Sequence, residues 1–378
     1  MSFIFISEEF AALIKNNLKE GSGYWGRVKN ELKIKAEEAM RSGPWSVTFD
    51  KSPAASGDVH DYYSEGGYWW PDPKNPDGPY IRRDGEYNPD RFTSHHEAMR
   101  KLCMAVFYLS SAGYYFDERT YLDRAVYLLK VWFVDNATKM NPHLEYGQAI
   151  KGVCEGRGIG IIDTNALLLA VHAMGFISEH REYDGEIKQF KEWFKVYLHW
   201  LTSSKKGIDE KNELNNHGSW WSAQAAAYAV FVGNDNIFRD CCDIYKEKII
   251  PGMDTDGSFR HEIRRTKAMQ YSLFNLDACA VVCEIAYNKG LDLWHYYNTV
   301  EGKSIELATR FMMPYLNNPF LWPYKQIDGE VPDENYCFQM AAIRLGMKDC
   351  VRINNKRAAD KYLIRDQKPL GPLILLRS

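Results

Sequence analysis

Leu214-Asn215-Asn216-His217-Gly218-Ser219-Trp220-Trp221 sets two carboxamides, an imidazole and two indoles in one short stretch. It runs straight into Ser222-Ala223-Gln224-Ala225-Ala226-Ala227-Tyr228, which is rich in good helix formers. Asn215 or Asn216 is therefore placed to cap a helix, with His217 in its first turn. A helix N-terminus carries unpaired N–H groups and partial positive charge, so Asn and His there present donors to an anion. The plain alternative is an ordinary Asn cap followed by core tryptophans.

A second stretch sharpens the reading: Phe259-Arg260-His261-Glu262-Ile263-Arg264-Arg265-Thr266-Lys267-Ala268-Met269-Gln270-Tyr271. Read as a helix, it puts Arg264, Lys267 and Tyr271 on one face, two cations beside a phenol. Asn, His, Arg and Tyr together can neutralise a carboxylate and move a proton next to it. Here the chain resembles the alginate lyase superfamily of helical-toroid polysaccharide lyases. Its Asn-Asn-His motif, followed some fifty residues on by a Glu, Arg and Tyr pattern, is matched by Asn215-Asn216-His217, then Glu262, Arg264 and Tyr271. Gly218 before Ser219 is a departure from many relatives. Pro44-Trp45-Ser46, Ala55-Ser56-Gly57-Asp58, Tyr68-Trp69-Trp70-Pro71 and Gly156-Arg157-Gly158 look like the branch that contains polysaccharide lyase family thirty-eight.

Composition bounds the possibilities. The chain has 378 residues, 45% hydrophobic and 14% aromatic, enough to fill a large core. Its 24 Tyr and 11 Trp suit sugar faces as well as cores. A net charge of -3 gives no global basic field, so nucleic acid is not expected as a partner. A polyuronate would need local cations such as Arg82-Arg83 or Arg264-Arg265-Lys267. The eight cysteines lack a metal-type Cys-x-x-Cys pair and read as free thiols. No run reads as a membrane span, and Met1–Glu9 does not read as a signal peptide. A periplasmic or secreted location is expected if a native signal precedes this sequence.

Along the chain, Ser7-Glu8-Glu9 starts a helix with Phe10, Leu13, Ile14 and Leu18 as its apolar stripe, and a second helix runs from about Tyr24 to Arg41. Residues 43–92 then form a long stretch dense in Gly, Pro, Asp and aromatics, expected to lie over a cleft as a lid or wall. From Thr93 on, helical spacing dominates. Segments are expected at Glu97–Ala112, Tyr121–Phe133, Asp163–His172, Ile187–Leu201, from Asn216, and at Ile237–Ile249, Ser272–Lys289, Ser304–Tyr315 and Asn335–Leu345. The fold class is all-α: a single domain, 1–378, of helical hairpins, most economically an α/α toroid of six or seven hairpins, closed or incomplete. The tail, 366–378, is expected to dock on the body.

The resemblance implies a lyase cleaving a linear 1,4-linked polyuronate, alginate or glucuronan, by β-elimination. Asn216, His217 and Arg264 would neutralise the uronate carboxylate. Tyr271 would be base and acid in syn elimination; alternatively His217 is the base and Tyr271 the acid in anti elimination. Tyr68, Trp69, Trp70, Trp220 and Trp322 are candidate sugar platforms, with core packing as the competing role. Arg157 is a candidate for a second carboxylate, or a partner of Asp163. Lys267 and the pair His95-His96 are further substrate-binding candidates. Neither metal nor organic cofactor is expected. Asp58, His60 and Asp61 are open to turn-stabilising as well as catalytic roles. The rival readings are an inverting glycoside hydrolase, which needs two carboxylates across the bond, and a non-catalytic carbohydrate-binding protein. Among Asp58, Asp61, Glu155, Asp163, Asp254 and Asp256 no pair stands out for the hydrolase.

Overall fold

Apolar residues recurring every three to four positions make most of this chain helical. The computed structural model describes residues 3–327 and 335–358, and its contacts divide the chain into two compact units. Unit 1 takes 1–210 and 231–233; unit 2 takes 211–230 and 234–378. The expected docking of the 366–378 tail lies outside the described residues.

Unit 1 begins with α1 (Glu8–Glu20) and α2 (Gly23–Met40). Ser7 caps α1, its Oγ accepting from Phe10 N at 3.2 Å. Ala11, Ile14 and Leu18 form the buried face of α1, while Leu13 is exposed, so the expected stripe is narrower than read. Three short strands follow, β1 (Tyr63–Glu65), β2 (Trp69–Trp70) and β3 (Ile81–Arg82), then α3 (Ser94–Phe116), α4 (Arg119–Phe133) and β4 (Tyr146–Ala149). A 3₁₀ stretch at Gly158–Ala166 leads into α5 (Leu167–Ile177), followed by α6 (Asp184–Ser203) and most of α7 (Lys205–Asn212). The core centres on α3, which packs against α2, α4 and α5. α5 is apolar on every side and wholly buried, as such a helix must be in water. Gly158–Ile177 is long and apolar enough to cross a membrane by length and composition, contrary to the sequence reading, but 83% of its apolar window is buried inside the molecule.

The 43–92 stretch is anchored rather than loose. β1 pairs in parallel with β4, and β2 pairs antiparallel with β3. Ser46 Oγ donates to Thr138 O at 2.5 Å and His60 Nδ1 to Lys139 O at 2.6 Å. Asp58 accepts from His60 N at 2.9 Å, the turn-stabilising role. Asp61 accepts from Ser56 and Asn141 and lies 3.1 Å from His143 Nε2.

Unit 2 contains most of α8 (Asn216–Val232), then α9 (Asp235–Ile244), a π-type turn at Tyr245–Ile249, α10 (Ala268–Asn288), α11 (Ile305–Asn317), α12 (Tyr336–Arg344) and α13 (Lys348–Ala358). α10 packs on α11 and α12. Asn234, Ser304 and Asn335 cap α9, α11 and α12 through side-chain oxygens. Inside this unit Glu284 is fully buried, and takes Arg344 at 2.6 Å and Trp294 Nε1 at 3.1 Å. A buried charge persists only when paired and hydrogen-bonded in this way.

Candidate active site

In unit 2 the Asn-Asn-His turn begins a helix as the sequence leads one to expect. Asn215 is the cap: its Oδ1 accepts from His217 N at 2.9 Å. Asn216 is held harder. Its backbone N donates to Glu262 Oε1 at 2.6 Å, and its Nδ2 donates to Glu262 Oε2 at 2.9 Å. Both side chains are sealed from water, Asn216 at 1% and Glu262 at 0% exposure. A carboxylate at a helix N-terminus meets the positive end of the dipole, and the two-point contact fixes the rotation of the Asn216 amide. Burial pushes the Glu262 carboxyl above the usual range; the two Asn216 bonds, then the charges of Arg265 and His217, pull it back down. Asn216 Oδ1 is buried and accepts no hydrogen bond. Such an orphan acceptor costs about 1–3 kcal/mol, which a donor on a ligand would recover.

The Arg/Tyr segment departs from expectation. Residues 260–266 form turns and a bend instead of helix, and α10 starts only at Ala268. Arg264, Lys267 and Tyr271 therefore do not share a helical face. The cause is tertiary. The turns carry Glu262 to Asn216, while the segment is pinned from its other side: Ile327 N donates to Thr266 O and Ala268 N to Lys325 O, both at 3.1 Å. Lys267 sits at the cap position of α10, half-buried, bridged to Gln326. Arg264 is exposed. Its neighbour Arg265 lies over the Tyr271 ring, 3.9 Å from the centroid. A cation there favours negative charge developing on the phenol.

The tryptophans divide. Trp220 is 1% exposed and packs on Phe274 at 4.8 Å, so it is core and not a sugar platform. Trp322 is half-buried in an edge-to-face set with Tyr315 at 4.9 Å and Tyr324 at 5.1 Å.

In unit 1, Tyr68, Trp69 and Trp70 are half-buried on and beside the β2–β3 hairpin. Trp70 Nε1 donates to Glu86 O at 3.0 Å, with the Arg83 guanidinium 4.9 Å from its ring. The histidine pair also divides. His95 is 1% exposed; Tyr63 N donates to its Nδ1 at 3.0 Å and its Nε2 donates to Asp50 O at 2.9 Å. Both ring nitrogens brace backbone, which leaves none for substrate and corrects its assignment as a ligand contact. His96 is half-buried, its imidazole pushed by burial below the usual range despite the nearby Asp163 charge. Arg157 and Asp163 do not pair directly, because Gln148 stands between them. Its Nε2 donates to Asp163 Oδ1 at 2.9 Å, while its backbone O and Oε1 accept from Arg157 at 2.9 and 3.1 Å.

The carboxylates available to a hydrolase are largely occupied in bracing. Asp163 accepts from Tyr62, Ser64 and Gln148, Asp61 from Ser56 and Asn141, and Asp254 faces Arg260 at 3.0 Å. Among the described residues no group of three or more His, Cys, Asp or Glu is gathered as a metal would require. The cysteines are free thiols, all but Cys154 buried.

The family model described as alginate lyase matches residues 46–322. The chain belongs to the alginate lyase family. A crystal structure of an alginate lyase from Bacteroides ovatus is 32% identical over 100% of this chain and 99% of that one, with a TM-score of 0.89. Alginate lyase A1-III from Sphingomonas species A1 is 16% identical and shares the fold at a TM-score of 0.56, over 93% of this chain and 94% of that one. A variant of alginate lyase A1-III in complex with a tetrasaccharide gives 0.63, at 16% identity and the same coverage. No curated protein matches. The protein is thus a polysaccharide lyase with the all-α toroid fold class of the alginate lyases. The sequence reading had missed Arg265 as the partner of Tyr271 and Gln148 as the link to Arg157. Glu262 was quoted in the family pattern, yet its bond to Asn216 crosses 46 residues and leaves no local signal.

Proposed function

We propose that this alginate lyase family member cleaves a linear 1,4-linked polyuronate, alginate or glucuronan, by β-elimination. The observation that carries the reading is the Glu262 clamp on Asn216, one residue before His217, with Arg265 seated on Tyr271 in the same unit. Loss of H5 puts a second negative charge next to the uronate carboxylate. Asn216, His217 and Arg264 neutralise that carboxylate, and donors already fixed in place need no reorganisation as charge develops. The C5–H electron pair becomes the C4=C5 double bond, the C4–O4 bond breaks, and O4 leaves with a proton. In the syn route Tyr271 takes H5 and returns the proton to O4. In the anti route His217 takes H5 and Tyr271 protonates O4. The product carries a 4,5-unsaturated uronide end.

Screening defined mannuronate, guluronate and glucuronate polymers for ultraviolet-absorbing product tests this directly. Absorbing product from at least one polymer is expected. Reducing ends without absorbance would overturn β-elimination in favour of hydrolysis, and intact polymer would favour a binding protein. A substrate of this class also leads us to propose a periplasmic or secreted site of action.

A further inference from the structure

The register of the β1–β4 pairing shifts between Tyr63 and Glu65. Tyr63 faces Tyr146 and Glu65 faces Ala149, so β4 carries one residue more than β1 across the same interval. Such a bulge re-aims side chains. Gln148 stands within it at φ +49°, the left-handed region that non-glycine residues rarely adopt. A backbone held there costs on the order of 1–3 kcal/mol and persists only when its surroundings enforce it.

The surroundings enforce it from several directions. Gln148 N donates to Ser64 Oγ at 2.8 Å, and Gln148 Nε2 to Asp163 Oδ1 at 2.9 Å. Asp163 is further fixed by Ser64 Oγ at 2.5 Å and Tyr62 OH at 3.1 Å. With its orientation set, Gln148 offers two oxygens to Arg157, at 2.9 Å to Nε and 3.1 Å to Nη2. These acceptors are neutral. They aim the guanidinium and leave its charge in place, and among the described residues Nη1 holds no hydrogen bond. The Arg157 guanidinium lies 5.9 Å from the Trp69 ring. Gly66 makes room for both: a Cβ there would stand 2.7 Å from Trp69 Cδ1 and 2.9 Å from Arg157 Nη2. Burial weakens Arg157's hold on its proton; the nearby Asp163 and Glu210 charges work against that, and the positive charge of Arg82 works with it. A half-buried cation facing neutral acceptors, next to an indole, is matched by a ligand carrying both a carboxylate and an apolar sugar face.

We propose that Arg157 and Trp69 form a uronate-binding subsite, and that Gln148 is the positioning residue that aims Arg157 into it. The proposal rests on the polyuronate reading above and deepens it. Its test is calorimetric binding, which needs no turnover. The probes are a saturated oligouronate and its carboxyl-reduced, neutral counterpart, titrated into a Tyr271→Phe background that blocks cleavage and is wild type at the subsite, Arg157→Met, Gln148→Ala or the double variant, all confirmed folded by circular dichroism. Wild type should prefer the oligouronate about tenfold or more, since a charge-assisted bidentate contact contributes at least ~1.4 kcal/mol. Arg157→Met should erase that preference. Gln148→Ala should weaken oligouronate binding several-fold in wild type and have no further effect in Arg157→Met, because it acts through the guanidinium. In lyase assays with Tyr271 intact both changes should raise KM with kcat nearly unchanged. Arg157→Met binding the oligouronate as wild type does would overturn the subsite. Equal losses from Gln148→Ala in both backgrounds would overturn the positioning role. Charge-selective binding without any absorbing product in those assays would leave the subsite standing and sink the lyase mechanism instead.

Discussion

At the residue scale the proposed chemistry rests on two contacts, Glu262 with Asn216 and Arg265 with Tyr271. Tyr271→Phe removes only a hydroxyl and leaves the ring beneath Arg265. Its stability should change by about 0.5–1.5 kcal/mol, the net worth of one hydrogen bond. Turnover should fall about 10²–10⁴-fold, the usual range for acid–base help. A folded variant with near wild-type kcat would remove Tyr271 from the mechanism. Glu262→Gln is the subtler test. Its amide would set a donor against Asn216 Nδ2 unless Asn216 turns over, and the orphan Oδ1 of Asn216 can accept that donor. The flip preserves hydrogen bonding while reversing the amide that meets the substrate. Because burial raises the Glu262 carboxyl, its ionised form is a burden on the fold above the ordinary carboxylate range. The sign follows: stability from this group is full at low pH and is lost as pH rises through its folded value. Glu262→Gln should therefore keep or gain thermal stability at neutral pH while kcat/KM shifts about tenfold or more, a change of one hydrogen bond of ~1.4 kcal/mol or above, because the flip exchanges the Asn216 group that meets the substrate. Stability and activity falling together would mean that Glu262 only supports the fold.

At the element scale, helices announced by local pattern were readable and those set by tertiary contacts were not. The α8 start could be read because an Asn cap before a run of alanines is a local signal. The 259–267 stretch could not, because the residues ahead of Ala268 that a helical reading takes in are held in turns by Glu262 and by the 325–327 segment. His95 shows the same limit: spacing cannot reveal that both of its nitrogens reach backbone at Tyr63 and Asp50. That geometry predicts a pH response. Burial holds the His95 imidazole below its ordinary value, so the folded state refuses a proton that the unfolded chain accepts near pH 6.5. Stability from this residue is full above that pH and is lost as pH falls through it, by at most ~1.4 kcal/mol per pH unit. Melting temperatures of wild type should decline between pH 7.5 and 5.5. His95→Gln should be less stable at every pH, yet show a shallower decline. An unchanged slope would mean that other groups, such as His96 and His261, whose pKa values are also lowered, govern the response.

At the scale of the whole molecule, the all-α class was legible because so many segments keep helical spacing, and the family motifs named the toroid. The partition into two contact-defined units was not legible, since it depends on which helices touch. Two units need not mean two domains. The polypeptide changes units inside α8: 211–230 count with unit 2 and 231–233 with unit 1. A helix is cooperative along its length, so melting one end of α8 weakens the hydrogen bonds of the other. We therefore expect the chain to unfold as the single domain, 1–378, that its sequence suggests. Scanning calorimetry decides it. At about 0.7 kcal/mol per residue near 60 °C, 378 residues should absorb roughly 260 kcal/mol. For one domain that heat arrives in one peak, and the van't Hoff enthalpy equals the calorimetric one. A saturated oligouronate should move the whole peak upward without splitting it, because it binds only the folded state. Two peaks, or a van't Hoff enthalpy near half the measured heat, would show that the units melt independently. Function would then depend on two separately stable bodies, not on one.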